Sequence, residues 1–336
     1  AGIRGPVDPN PFPVDAWTDA AYADWFETHK ASREELERQR VAADDFEVKP
    51  SFSFIVPLYK TPLDYLKVMA DSVLGQTYGN LQLILVNASP ELPELASAVH
   101  ALEVRDSRVT VVTLEENLGI TENTNAGIAA ATGDFCCFLD HDDYIEPDLL
   151  FEYVKALVKE PTVDVLYCDE DLVEGTSDSK EFKHLHPLFK PQLSPELLLC
   201  KNCIVHLMTI RRSIIDSMPV PDSSFDGAQD YNMILYATSA AREVHCVQKM
   251  LYHWRISAES TAANPDAKPY SQKSYRLSAM AEIGRRGIEG RIISSGIVNI
   301  HNIWFCGKSD VKVSIVVDCA AWAREPEAKG ACPFNI

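Results

Sequence analysis

Three acids within four positions, Asp140, Asp142 and Asp143, follow a short apolar run of Phe135, Cys136, Cys137, Phe138 and Leu139, with His141 between them. Carboxylate oxygens are the preferred ligands of hard divalent cations. In an α/β sheet the crevice beyond the carboxyl ends of the strands is the usual ligand site, so this run suits Mg²⁺ or Mn²⁺ carrying phosphate. A plainer reading stands beside it: Asp142 or Asp143 caps the helix that starts near Pro147, satisfying free N–H groups and the helix dipole. Capping needs one acid, and three are present. Asp230 precedes a helical run and reads locally as a helix N-terminal acid. His253, in an apolar run with Tyr252 and Trp254, reads locally as a packed histidine. Asp169, Glu170 and Asp171 read as either a functional acid group or a solvated loop.

The elements that must position these residues alternate. Short β-type runs at 53–58, 81–86, 108–114 and 135–139 are each followed by helical runs, at 63–74, 92–102, 121–131 and 147–159. This order predicts βαβ units and a mixed, mostly parallel sheet flanked by helices, an α/β fold. Further strands are expected at 163–167, 203–211 and 250–254, a short helix at 194–199, and a last helix at 271–286 ending at Gly287. Before the sheet, 16–43 reads as one ancillary helix with Trp17, Tyr22, Trp25 and Phe26 on its apolar side, and 1–15 as a Pro-rich leader. The division expected is 1–50 for leader and helix, 51–290 for the main domain, and 291–336 for a C-terminal extension. In that extension 311–317 repeats the pattern of an opening strand, and reads either as the start of a second, truncated domain or as an accessory strand packed on the first.

With 336 residues, 46% of them hydrophobic, the chain can bury a large core. Its longest apolar stretches fall short of the roughly 18 residues of a spanning helix, and no secretory signal opens it, so the expected place is the cytoplasm. A net charge of −18 argues against nucleic acid as a partner, since that binding rests on Lys and Arg. An anionic small substrate would then need a cation. Nine cysteines, without zinc-finger spacing, read as isolated thiols.

Six motifs in order resemble the family 2 glycosyltransferases of the GT-A fold, and within them the bacterial members that build surface polysaccharides, rhamnosyltransferases among them. They are the opening strand and loop with Pro57, Leu58 and Tyr59; Asp71 to Tyr78; Glu116, Asn117, Leu118 and Gly119 leading to Asn123; Asp140, His141, Asp142 and Asp143; Phe225 to Tyr231 around Asp230; and Tyr252, His253, Trp254 and Arg255.

The resemblance implies an inverting, metal-dependent transferase that moves a sugar from a nucleotide-diphosphate donor to a hydroxyl of a glycan or lipid-linked glycan. It implies that Asp142 binds Mn²⁺ or Mg²⁺, that Asp140 serves the ribose or a metal-bound water, and that Asp143 assists. It further implies that His253 completes the metal shell or touches the diphosphate, and that Arg255 pairs with the diphosphate. Asp230 would be the general base. Pro57, Leu58, Tyr59, Asn117, Gly119, Asn123 and His141 would border the donor; Asp169, Glu170, Asp171 and His206 would face the acceptor. Many relatives carry Asp after the second strand, to bind the pyrimidine. Here Asn87 stands there, which both accepts and donates; uridine or thymidine diphosphate sugars are the expected donors. Lipid-linked acceptors imply peripheral contact with the inner membrane face, although no basic amphipathic helix is visible. Two other classes remain open: a nucleotidyltransferase that makes the nucleotide sugar, whose Gly-rich basic loop after strand one is missing at 57–62, and a non-catalytic nucleotide- or carbohydrate-binding module.

Overall fold

The computed structural model describes residues 19–175, 182–256, 271–297 and 299–306. The leader, Trp17 and the 311–317 run lie outside the described residues. The ancillary region is two helices, α1 (Asp19–His29) and α2 (Arg33–Ala42), in place of the single helix expected. Ser32 causes the break: its hydroxyl accepts from the Glu35 backbone N–H at 3.2 Å and caps α2, whose first turn carries Glu34 and Glu35.

The expected alternation follows in β1 (Phe52–Leu58), α3 (Leu63–Leu74), β2 (Leu81–Asn87), α4 (Pro93–Arg105), β3 (Val109–Thr113), α5 (Ile120–Ala130) and β4 (Phe135–Phe138). β3, β2, β1 and β4 pair in parallel in that spatial order, so their carboxyl ends share one edge of the sheet. Parallel strands covered on both faces need apolar side chains on both; Phe54, Ile55, Val56 and Leu58 are accordingly buried. α5 lies close enough to β1 and β2 that a Cβ on Gly127 would stand 2.5 Å from Ile55 Cγ2.

The second half runs β5 (Tyr144–Ile145), α6 (Leu149–Lys159), β6 (Val163–Glu174), β7 (Lys183–Leu188), α7 (Pro195–Cys200), β8 (Thr209–Arg211), α8 (Arg212–Ser217), α9 (Gln229–Ala240), β9 (Glu243–Arg255), α10 (Ser271–Arg285), and a hairpin of β10 (Gly290–Ser294) and β11 (His301–Phe305). β8 continues the sheet antiparallel beside β4, followed by β6, β9 and β5, with β7 on β6. The result is a mixed sheet with apolar cores on both faces. Tyr22 and Phe26 of α1 form a separate small cluster with Met250.

Two expectations change. Only 209–211 of the expected strand 203–211 is a strand, because the Asn202 side-chain carbonyl accepts from the N–H groups of Ile204 and Val205 at 3.3 and 3.1 Å and turns the chain. Conversely, the strand expected at 163–167 continues to Glu174, so Asp169, Glu170 and Asp171 lie inside β6 and are buried, which excludes a solvated loop. Burial is tolerated because each carboxylate has a partner nearby. The cysteines of the described residues are free thiols.

Candidate active site

The turn after β4 holds Asp140, His141, Asp142 and Asp143 at the shared carboxyl edge of β1 to β4. Neither Asp142 nor Asp143 caps α6, whose N-cap is Asp148. The three acids have different surroundings. The Asp140 side chain is 58% exposed. Asp142 is half-buried; burial first, then the neighbouring Asp140, raises its carboxyl above the usual range. Asp143 is fully buried: Oδ1 accepts from the Arg255 backbone N–H at 2.8 Å and Oδ2 from the Tyr252 hydroxyl. Burial, then Asp142 and Asp140, push its carboxyl far up. With both oxygens engaged, Asp143 braces β9 against the turn.

His206, on the loop between α7 and β8, stands opposite. Its Nε2 is 3.7 Å from Asp140 Oδ2, its Nδ1 is 3.1 Å from Glu170 Oε2, and its ring stacks on Tyr252 at 4.6 Å. Burial would lower the imidazole, but Glu170 and Asp140 outweigh it and lift its pKa to about 10. Burial would likewise raise Glu170, yet Lys190, 2.8 Å away, and His206 hold it at about 2. The acids expected on the acceptor side thus divide. Glu170 joins the Asp140 group through His206, Asp169 accepts from the Lys190 backbone N–H at 2.7 Å, and Asp171 lies elsewhere.

Asp230 opens α9. Asn202, on the loop of His206, donates to its Oδ2 at 3.2 Å. Burial raises the Asp230 carboxyl, with His206 opposing and Asp140 adding to the rise, so these groups act on one another electrostatically. A carboxyl with a raised pKa is suited to accept a proton.

His253 lies between two carboxylates. Its Nδ1 lies 2.6 Å from Asp171 Oδ1 and its Nε2 3.1 Å from Glu146 Oε1, in full burial, so both nitrogens face carboxylates. Asp171 also takes His184 Nδ1 at 2.7 Å and the Tyr22 hydroxyl at 2.7 Å, and Phe26 packs on both histidines. Arg255 is buried between the rings of Tyr65 and Phe182, at 4.5 and 4.8 Å. Its Nε donates to the Asp142 carbonyl at 2.5 Å and one terminal nitrogen to the Gly175 carbonyl at 2.8 Å. The other terminal nitrogen has no partner among the described residues.

The residues expected to border a donor line the same edge. Leu58 is buried in the core and contributes its backbone only, while Tyr59 is exposed under Lys60. Asn87 is fully buried; its carbonyl accepts from the Ser89 N–H at 3.0 Å and its amide nitrogen has no partner among the described residues. His141 Nδ1 is 3.4 Å from the Pro57 carbonyl. Asn117 accepts from Gly119 N–H at 3.1 Å and from Asn123 Nδ2 at 2.9 Å, while Asn123 accepts from Leu118 N–H at 3.3 Å. These two asparagines shape the loop into α5. Gly119 has φ +93, and a Cβ there would stand 3.1 Å from Asp226 Oδ2.

Asp140, Asp143 and His206 offer ligand atoms within 4.8 Å of one another. Asp143 is already engaged, while Asp140 repels Asp142 and raises its carboxyl, a repulsion that a divalent cation beside them would relieve. The group Asp171, His184 and His253 converges equally, but its atoms already satisfy one another. Sequence reading missed Lys190, Asn202, Asp226 and His184. Asp226 accepts from the Thr121 hydroxyl at 2.6 Å and ties α5 to the loop before α9. Its signal was present in the motif around Asp230, whereas Lys190 and His184 had none.

Residues 53–218 match the family model for glycosyl transferase family 2. Protein y4gI of Sinorhizobium fredii is 33% identical over 243 residues, covering 71% of this chain and 25% of that protein. The O-antigen biosynthesis protein RfbC of Myxococcus xanthus is 26% identical over 298 residues, 89% of this chain and 23% of its own. The chain therefore spans about a quarter of the length of these two relatives. Among solved structures, residues 1–349 of TarS from S. aureus superpose with a TM-score of 0.53 at 18% identity, covering 69% of this chain and 65% of that one. The fold is that of the GT-A glycosyltransferases, and residues 53–218, with the acid turn at their centre, belong to glycosyl transferase family 2.

Proposed function

We propose that this chain is an inverting glycosyltransferase, moving a sugar from a nucleotide-diphosphate donor to a hydroxyl of a glycan or lipid-linked glycan in surface polysaccharide synthesis. The observation that carries the reading is one loop that brings His206 to 3.7 Å from Asp140, beside Asp142 at the carboxyl edge of β4, and Asn202 to 3.2 Å from Asp230. RfbC is named for O-antigen biosynthesis, and TarS has been solved with UDP and with UDP-GlcNAc. A uridine or thymidine diphosphate sugar is the donor we favour, and we place the reaction in the cytoplasm, with acceptors reached at the inner membrane face. Among the described residues no helix is long and apolar enough to cross a membrane.

In this mechanism Asp142 and Asp140 would hold Mn²⁺ or Mg²⁺. Bound there, the cation neutralises the charge that develops on the leaving group. Asp230 takes the proton of the acceptor hydroxyl as that oxygen attacks the anomeric carbon from the face opposite the leaving group. Asn202 orients Asp230, and the loop of Asn117 and Asn123 fixes the entrance to α5 beside the donor. Attack in line requires both substrates to be held together, which contributes as much to rate as the proton transfer.

The test is a thermal-shift panel of uridine, thymidine and guanosine diphosphates with and without Mn²⁺, followed by a sugar-transfer assay with the best base. A cation-dependent shift for one base, and turnover of its sugar, support the reading. No shift with any base, or binding without transfer to any glycan hydroxyl, would overturn it.

A further inference from the structure

The loop that carries both His206 and Asn202 is held by a buried cation. Lys190 is 2% exposed, and its ammonium donates to Glu170 Oε2 at 2.8 Å, to the Ile204 carbonyl at 2.5 Å and to the His206 carbonyl. An ammonium has three protons to donate, and all are matched. The Lys190 backbone is fixed as well, since its N–H donates to Asp169 Oδ1 at 2.7 Å. Between the two accepting carbonyls lies Val205 with φ +46. A β-branched residue in the left-handed region is a real outlier, kept only where the surroundings over-determine it. Here the turn points two alternate carbonyls at one cation while the Asn202 carbonyl holds the N–H groups of Ile204 and Val205. From this frame His206 faces Asp140 and Asn202 faces Asp230.

We infer that Lys190 is a positioning residue of the transfer site, which clamps the 202–206 loop on Glu170 so that His206 and Asn202 meet the metal-binding and proton-accepting acids together. The inference rests on the glycosyltransferase reading above. Lys190 touches neither substrate nor reacting atoms in this account; it acts through the loop. Its role also explains the place of Glu170 inside β6, where it serves as the fixed anion to which the loop is tied.

Lys190→Met keeps most of the stem and removes the cation, but leaves Glu170 charged and buried. The double variant Lys190→Met with Glu170→Gln removes both charges and keeps the test sound if the single variant fails to fold. For a folded variant with its Mn²⁺-dependent nucleotide shift retained, kcat should fall more than tenfold while the donor KM stays within about threefold, and amide exchange across 202–207 should rise. In Lys190→Ala, added propylammonium should restore part of kcat by refilling the vacated space. A folded variant with unchanged kcat, beside a parent enzyme that transfers sugar, overturns the inference alone. A parent that transfers no sugar overturns the glycosyltransferase reading and the inference with it.

Discussion

Asn202 and Asp230, 28 positions apart, meet in a 3.2 Å hydrogen bond at the start of α9. Because the amide is the donor, the carboxylate keeps lone pairs for a proton, and a loop distant in sequence helps to orient it beside the backbone N–H groups of its own helix. Asp230→Asn should therefore leave the Mn²⁺-dependent nucleotide shift in place and reduce sugar transfer by roughly 10²- to 10⁴-fold. Burial raises the Asp230 carboxyl, so the acid limb of the parent kcat/KM profile should lie above the ordinary value of 3.8. Retained turnover in Asp230→Asn would move the base elsewhere.

Asp142→Asn should abolish the cation dependence of donor binding. The substitution removes one of the two carboxylates proposed to hold the ion, Asp143 being engaged by Tyr252 and Arg255. Asp143→Asn provides the contrast: it should lower stability by about 1–3 kcal/mol by unbalancing a buried network, with metal titration of the folded protein little changed. Equal nucleotide shifts with and without Mn²⁺ in the parent would refute the assignment.

Asp164 supplies a test of pH-dependent stability away from the site. It is 3% exposed and accepts from Arg211 Nε at 2.5 Å and from Arg242 at 2.6 and 2.9 Å. Burial would raise this carboxyl, but Arg242 and Arg211 hold it at about 2, below the ordinary 3.8. A depressed carboxyl stabilises the fold above its ordinary value, and that contribution drains away as pH falls from about 4 toward 2. Asp164→Asn should cost on the order of 1 kcal/mol at pH 7, discounted because Arg242 is largely exposed, and the deficit should vanish near pH 2. Urea unfolding at several pH values measures it.

Phe26→Ala tests how α1 is attached. Phe26 is 2% exposed and packs against His184 and His253 at 4.2 and 5.3 Å. Truncation of a buried phenylalanine costs about 3–5 kcal/mol in a main core; in this small cluster the lower end is expected, concentrated in α1. Amide exchange should accelerate across 19–29 while β1 and β2 keep their protection. Uniform acceleration would mean that α1 and the sheet unfold as one unit.

The parts of the fold legible in sequence are those with local causes. α3 runs over 63–74 as read, because Pro62 fixes the residue before it and Gly75 follows its end. The acid turn was legible because three carboxylates beside an apolar strand have few other uses. Glu170 and Asp171 were misplaced in outline because charges within a strand contradict its pattern, and what keeps them buried, Lys190 and His253, lies 20 and 82 positions away. Likewise the packed reading of His253 described its burial, but only the fold discloses that carboxylates flank both ring nitrogens. Lys190 follows a loop and looks solvated until the sheet brings Glu170 beneath it.

The strand order has a consequence for how the chain is made. β9 lies between β6 and β5, so the last strand of the main sheet to leave a ribosome is an interior one. Until 243–255 emerge, Asp143 lacks Tyr252 and the Arg255 N–H, and Asp171 lacks His253. The β1 to β4 half can pair early, from neighbours in sequence, whereas the half bearing Glu170 waits for a distant segment to intercalate. Long-range pairing of this kind is slow and leaves strand edges open meanwhile. The nascent chain thus passes through a stage in which the acid turn is complete as sequence but not yet braced.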